Sequence, residues 1–514
     1  MLLWFVVAYW IISVAIGLWA SLRVKNTNDF AIAGRRLPLY MVIATVFATW
    51  FGSETVLGIP ATFLQEDLHG VVSDPFGAAF CLILVGIFFA APLYRMKLLT
   101  IGDFYKRRYG RKVEVLTTLA IVLSYLGWVG AQITALGLVF NIVSMGAISP
   151  EAGMWIGSMT ILIYTFFGGM WAVAITDLIQ MIIIVLGMLW IGGEFAEQAG
   201  GVATVIQHAA NAGKFDFWPQ ASFVEIAAFV AAGCTMMLGS MPQQDVFQRV
   251  QSAKTERIAV WGSIIGGSLY LIFAFVPMFL AYSATLIDPQ LVSRLIDTDS
   301  QMILPTLVLN HTPLIAQIIF FGALLSAIKS CASATLLAPS VSFTENIVKG
   351  MIPMDDKTLL RAMRIVTLIF TVLVTFYAIH SDASIFQMVE NAYQVTLVSA
   401  FIPLACGVYW KRATNQGALC AIGAGVTVWI TLSYIETLSA VTVGQLPMLL
   451  SVWVMGLQKL LVFTPQGAGL LASALGMLVG SLLPQWASHD PTAHQRLRQG
   501  AADQPVAHPR INTH

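Results

Sequence analysis

The sequence predicts an all-α polytopic membrane protein of about thirteen transmembrane helices, with its N-terminus outside and its C-terminus inside. Three observations lead there. The 514 residues are 58% hydrophobic and only 10% charged, far from the composition of a soluble domain. Of the 27 lysines and arginines, 23 fall in every second loop between long apolar runs, three in the intervening loops, and one, Lys329, inside a run. Cytoplasmic loops keep Lys and Arg whereas short translocated loops do not, so this alternation sets an orientation. Finally, two of the apolar runs are interrupted by Gly, Pro and polar residues at their centres.

About 20 apolar residues cross a bilayer. On that length the spans lie near 1–22, 38–60, 71–94, 113–145, 151–169, 171–193, 222–247, 257–284, 314–338, 362–380, 384–409, 416–435 and 466–484. The first has no basic leader and runs straight into Arg23 and Lys25, which reads as an extra N-terminal span and not as a cleaved signal peptide. The basic loops at 23–37, 95–112, 249–257, 349–364 and Lys411–Arg412, with the tail at 485–514, all fall on the cytoplasmic side. Within 416–484, the stretch 436–464 carries Gln458 and Lys459 and is expected to be an extracellular or re-entrant insertion between C-terminal spans. The five cysteines lie in apolar runs without disulfide or zinc spacing, as small packing residues do. A net charge of +1 gives no footprint for nucleic acid. The partners are the lipid bilayer and a small-molecule solute, and no oligomeric state follows from the sequence. An inner (plasma) membrane of a bacterium is the expected location.

The interrupted spans hold Thr49-Trp50-Phe51-Gly52-Ser53-Glu54 with Gly58 and Pro60, and Gly239-Ser240-Met241-Pro242-Gln243-Gln244-Asp245. Each opens a set of five spans, 38–193 and 222–409. An odd number per set makes the second set enter from the opposite side, an inverted repeat. Broken helices at matched positions of two such halves point to a substrate and ion site at mid-membrane. The plain alternative is that Gly and Pro are common in membrane helices, where neighbours satisfy the freed backbone groups. A matched pair with polar side chains at both breaks favours function.

Several stretches together resemble the sodium:solute symporter family: Asp29-Phe30-Ala31-Ile32-Ala33-Gly34-Arg35, Thr100-Ile101-Gly102-Asp103-Phe104, Gly168-Gly169-Met170-Trp171-Ala172-Val173 running into Thr176-Asp177 and Gln180, Phe247-Gln248-Arg249-Val250, and Gly407-Val408-Tyr409-Trp410-Lys411-Arg412. The resemblance implies a LeuT-like 5+5 inverted repeat core with one helix before it and two or more after. It also implies a sodium ion held between the first broken helix and the eighth core helix. Carried over residue by residue, carbonyls of Ala48 and Phe51 and groups of Ala327, Ser330 and Cys331 would hold it.

The chain departs from that pattern twice. Cys331 stands where the family keeps Ser or Thr, and a thiol is a poor ligand for a hard cation. Lys329 stands where the family keeps an apolar residue. An ammonium about 6 Å from sodium would repel it by roughly 3 kcal/mol at an effective dielectric of 20. Sodium is therefore the coupling ion the resemblance implies, with a weakened site. A proton carried by Lys329, or a permanently charged Lys329 in place of the ion, is the alternative. Its expected partner is Glu54 and, after that, Asp177; the plain alternative is a purely structural pairing.

Trp50 and Trp128 resemble the tryptophans with which the choline-transporting branch cages a quaternary ammonium by cation–π attraction. Gln243 replaces a further tryptophan there, leaving the cage incomplete. Ser53, Glu54, Gln132, Gln243 and Tyr393 complete the candidate substrate contacts. Asp177 on the inner half and Glu390 on the outer half are candidate gates, and Asp245, which flanks the second unwound stretch with Gln243 and Gln244, is expected either to meet a charged group of the solute there or only to form an ion pair near Arg249. No histidine lies in a span, and there is no P-loop, H-E-x-x-H or nucleophile elbow, so no cofactor-dependent or hydrolytic activity is indicated. The expected function is secondary active symport of a small polar organic solute (amino acid, amine or carboxylate), not an enzyme activity. A membrane sensor on a transporter scaffold is the alternative from another class.

Overall fold

The computed structural model describes residues 2–442 and 464–485. Among these, every extended element is helical apart from one isolated bridge between Leu37 and Ala253. The long helices are α1 (Leu2–Ser21), α2 (Leu39–Trp50), α3 (Glu54–Gly70), α4 (Val72–Arg95), α5 (Arg111–Val143), α6 (Pro150–Gln198), α7 (Phe223–Gly239), α8 (Gln244–Ser252), α9 (Glu256–Ile287), α10 (Leu314–Met351), α11 (Asp356–Ile379), α12 (Ile385–Tyr409), α13 (Asn415–Thr442) and α14 (Pro465–Leu482). Ten of them are long and apolar enough to cross a membrane unaided. The pairs α2–α3 and α7–α8 each make one bent crossing, with bends of 55° and 47°. These are the two interrupted spans of the sequence.

Helix α6 has 49 residues, about 74 Å at 1.5 Å per residue, more than twice the hydrocarbon thickness. It is broken at Gly169, with φ 47° and ψ −143°, so it supplies two crossings on either side of that glycine. With that division the described crossings match the expected thirteen. Most of the insertion expected at 436–464, and the tail after 485, lie outside the described residues.

Gly169 also explains two of the sequence motifs. A Cβ there would sit 2.4 Å from the carbonyl oxygen of Phe30, so the Gly168–Val173 motif and the Asp29–Arg35 motif are the two sides of one contact. The latter turns through Ala33, Gly34 and Arg35, all with positive φ. Replacing Gly169 with Ala is expected to cost roughly 2–4 kcal/mol, from the forbidden backbone region and the backbone clash. A thermal unfolding scan in detergent checks it; an unchanged midpoint would refute it. The Thr100–Phe104 motif is a capping box. The Thr100 hydroxyl accepts from the Asp103 amide, and the Asp103 carboxylate accepts from the Thr100 amide, satisfying two orphan donors of the helix Ile101–Tyr109.

One detail of the first broken span differs from expectation. The break lies at Phe51–Ser53, and Gly58 and Pro60 fall inside α3. Proline has no N–H to give, and a wide turn absorbs the loss, with the Ile59 amide bonding the carbonyl of Glu54.

Candidate functional site

The two breaks face each other through side chains from α5, α10 and α12. At the first, α2 ends at Trp50, Phe51 leaves the helical region at φ −89° and ψ 74°, and the last carbonyls of α2 lose helical partners. Gln132 of α5 holds the gap. Its Oε1 accepts from the Ser53 amide at 2.9 Å while its Nε2 donates to Glu54 Oε2 at 2.6 Å. Glu54 is 2% exposed. Its other oxygen accepts from Trp128 Nε1 at 3.2 Å and, more weakly, from the Cys331 thiol at 3.9 Å. A Cβ at position 52 would lie 2.6 Å from Glu54 Oε2 and 2.9 Å from the Cys331 Cβ, so only glycine lets α10 approach the break this closely.

Three rings close over the same spot. Trp50 and Trp128 have centroids 5.4 Å apart, Trp128 and Tyr393 5.4 Å, and Trp50 and Tyr393 6.0 Å with near-parallel planes. All three are buried. Tyr393 comes from α12 and takes the third wall that the sequence leaves missing when Gln243 stands in place of a tryptophan. The rings pack against one another.

The second break carries polar groups in excess of their partners. Gln243 Nε2 donates to Ser124 Oγ at 2.8 Å and to Thr396 Oγ1 at 3.3 Å, and Thr396 caps the break through the carbonyl of Gly239 at 2.7 Å. Ser240 Oγ, Gln243 Oε1, Asp245 Oδ2 and the Tyr393 hydroxyl are buried without hydrogen-bond partners among the described residues. Such groups are rare unless something else meets them. The expected pairing of Asp245 with Arg249 takes a different form. The Tyr125 hydroxyl donates to the Asp245 carboxylate at 2.5 Å, while Arg249 donates to the backbone carbonyl of Asp245 and to Thr49 Oγ1.

The residues mapped to the ion site come together only in part. Ala48, Phe51, Ala327, Ser330 and Cys331 are all buried between α2 and α10. Ser330, however, donates to Asp177 Oδ1 at 2.6 Å, and Thr45 donates to Asp177 Oδ2 at 2.5 Å. A buried carboxylate held by hydroxyls from α2 and α10 thus adjoins the expected ion locus. The Arg249 guanidinium is near enough for its charge to be felt at Asp177.

Lys329 is where expectation fails. It makes no contact with Glu54 or Asp177. Its Nζ lies 5.1 Å from the Trp10 ring centroid and 5.5 Å from those of Tyr9 and Tyr164, without a hydrogen bond. Successive helical residues point about 100° apart, so Ser330 and Cys331 face the breaks while Lys329 faces α1. The spacing along α10 contains this: the aromatic face of α1, not a carboxylate, meets the position before Ser330. Glu390 lies in the N-terminal half of α12, one helical turn from Tyr393.

Beside Glu54, Asp177 and Asp245, the structure adds a buried acid that is not among the sequence candidates. Asp74 in α4 accepts from the Tyr270 hydroxyl at 2.5 Å, and that hydroxyl lies 3.2 Å from Thr55 Oγ1. The signal was present, because an acid inside a span is a functional candidate by default.

Comparisons with known proteins bear on the family and the fold. The chain is 25% identical to the high-affinity choline transporter 1 of Caenorhabditis elegans over 449 residues, covering 82% of this chain and 76% of that protein. It is 24% identical to the osmoregulated proline transporter of Bacillus subtilis, covering 82% and 87%. A Na+-coupled sialic acid symporter, solved substrate-bound and open to the outside, superposes with a TM-score of 0.75 at 19% identity, over 95% of this chain and 98% of that one. That likeness establishes the fold, a LeuT-like helical architecture that the bent pairs already indicate. The sequence model of the sodium:solute symporter family matches residues 30–425, and with that extent of match the chain belongs to the sodium:solute symporter family.

Proposed function

We propose that the protein is a sodium-coupled symporter of a small organic cation of the quaternary-ammonium class, working by alternating access in a plasma membrane. The observation that carries this is the convergence of Trp50, Trp128 and Tyr393 on the Glu54 carboxylate at the first break. Ring faces attract a cation that has no N–H to donate, and a buried acid supplies the counter-charge. The choline-transporting relatives support the same class. An amino acid or monocarboxylate would bring its own carboxylate to this break, where Glu54 would repel it. The unpartnered groups at the second break (Ser240, Gln243 and the Tyr393 hydroxyl) suit a hydroxyl at the other end of the solute. In the transport cycle the rings part to admit the solute from one side and close over it before the other side opens.

For the coupling ion, the supporting feature is Asp177, held by Thr45 and Ser330 beside the backbone carbonyls of Ala48 and Phe51. Ser330 supplies a hard oxygen and the carboxylate a charge, which compensates for the thiol at 331. Lys329 as a replacement for the ion is disfavoured by its place in the aromatic box. Replacing Lys329 with Met is therefore expected to change the sodium half-saturation of uptake by less than about twofold. It should also leave the thermal midpoint unchanged or raised, since an apolar isostere in place of a buried charge is often neutral or stabilising. A tenfold shift in sodium dependence would restore the lysine to the ion site.

A thermal-shift screen of the detergent-solubilised protein tests the substrate class. Choline and tetramethylammonium should raise the midpoint, and more so with sodium present; proline, sialic acid and monocarboxylates should not. Stabilisation by proline alone would overturn the proposal.

A further inference from the structure

Beyond the central site, a second cavity opens on the side away from the basic loops. It has a volume of about 410 Å³, in the range of small-molecule sites. It is built by the outer halves of both broken helices and by α12: Glu66 and His69 from α3, Glu225 and Phe229 from α7, Phe386 and Glu390 from α12. Among the described residues no lysine or arginine lines it. Glu390 lines the cavity and has no hydrogen bond or ion pair among the described residues, and Glu66 is close enough for the two carboxyl groups to feel each other. Three acids from three helices, Glu66, Glu225 and Glu390, line the cavity with no lysine or arginine beside them among the described residues, an arrangement that a guest cation relieves.

We propose that this vestibule is an outer subsite where the transported organic cation binds before it reaches the aromatic site, an inference that rests on the organic-cation reading of that site. Two observations fix the class of guest. No group of three or more His, Cys, Asp or Glu side chains is close enough to hold a metal ion among the described residues. The acids instead share the walls with the rings of Phe229 and Phe386, and His69 stacks on Phe229 at 5.0 Å, an apolar and acidic lining that suits an alkylated ammonium. The position suits a staging role. Glu390 and Tyr393 are three residues apart on α12 and share a helix face, so the floor of the vestibule is one turn from the aromatic triad. Phe386 packs against the first broken helix, where a Cβ on Gly58 would meet the Phe386 backbone at 3.3 Å.

The test uses the full chain in proteoliposomes with choline as probe. The double variant Glu66→Gln/Glu390→Gln should raise the choline KM at low ionic strength about fivefold or more, the scale of losing nearby charge in a wet site, with kcat within about twofold. As a readout that a merely structural role would not move, Gln387→Cys places a thiol at the cavity rim. A cationic thiosulfonate reagent should label it at least tenfold faster than an anionic one of equal size, and that ratio should fall towards one in the double variant. In a Glu54→Gln background, choline should still slow the labelling. An unchanged KM and labelling ratio in the double variant, or no protection by choline in that background, overturns the subsite while leaving the central site standing. If the native protein neither binds nor transports any quaternary amine, the central reading fails and the subsite with it.

Discussion

Replacing Glu54 with Gln is expected to abolish concentrative uptake of a quaternary amine while leaving a folded protein. A carboxylate about 5 Å from a bound cation contributes roughly 3 kcal/mol at an effective dielectric of 20, so affinity should fall by about two orders of magnitude. The amide keeps the shape, but its single oxygen can accept from only one of the two donors, Trp128 Nε1 and Gln132 Nε2, that now meet separate carboxylate oxygens. Losing one such bond costs about 1–3 kcal/mol, so the thermal midpoint should fall modestly while the fold survives, which separates lost charge from lost structure. Equilibrium binding of labelled choline to the purified variant measures the effect, with the thermal midpoint as control. Binding within about threefold of the native protein would mean that the solute sits elsewhere or carries no positive charge.

Replacing Asp177 with Asn acts on the ion instead. Of the two hydroxyls that now donate to separate oxygens of Asp177, from Thr45 and Ser330, one can donate to the amide oxygen and the other can turn to accept from the amide nitrogen, but the negative charge is gone. Sodium half-saturation should rise by about a hundredfold by the same Coulomb estimate. Choline binding without sodium should change little. Measuring uptake against sodium concentration at fixed choline, then choline binding in sodium-free buffer, separates the two. A variant with native sodium dependence would confine Asp177 to packing.

The sequence was informative where chemistry and spacing coincide. The alternating basic loops and the two polar interruptions already carry the helical crossings and both bends, because a bilayer leaves few ways to satisfy backbone groups. Trp50, Glu54, Trp128 and Gln132 stand out as candidates because they sit in or opposite a break, and the fold brings the four together there. Less legible were partners chosen by helix rotation and by contacts remote in sequence. Lys329 and Ser330 are neighbours in the chain, yet one faces α1 and the other Asp177. Tyr393 stands among the candidate substrate contacts, but that its ring packs with Trp50 and Trp128, more than 260 positions away, follows only from the fold. Arg249 looked like the ionic partner of Asp245 from their spacing of four; rotation about the helix axis sends its guanidinium across to Thr49 of the other broken helix. Gly169 and Phe30 belong to motifs that can be quoted separately, and only the fold reveals them as one contact.

The central claim is that an organic cation enters at the aromatic triad and is driven by sodium. Uptake of labelled choline into proteoliposomes under an imposed inward sodium gradient tests it most directly. Accumulation above the equilibrium level, lost when the gradient is collapsed and absent in Glu54→Gln, is the predicted result. Binding without accumulation under any ion gradient, the behaviour of a sensor, or accumulation of proline with none of choline, would contradict it.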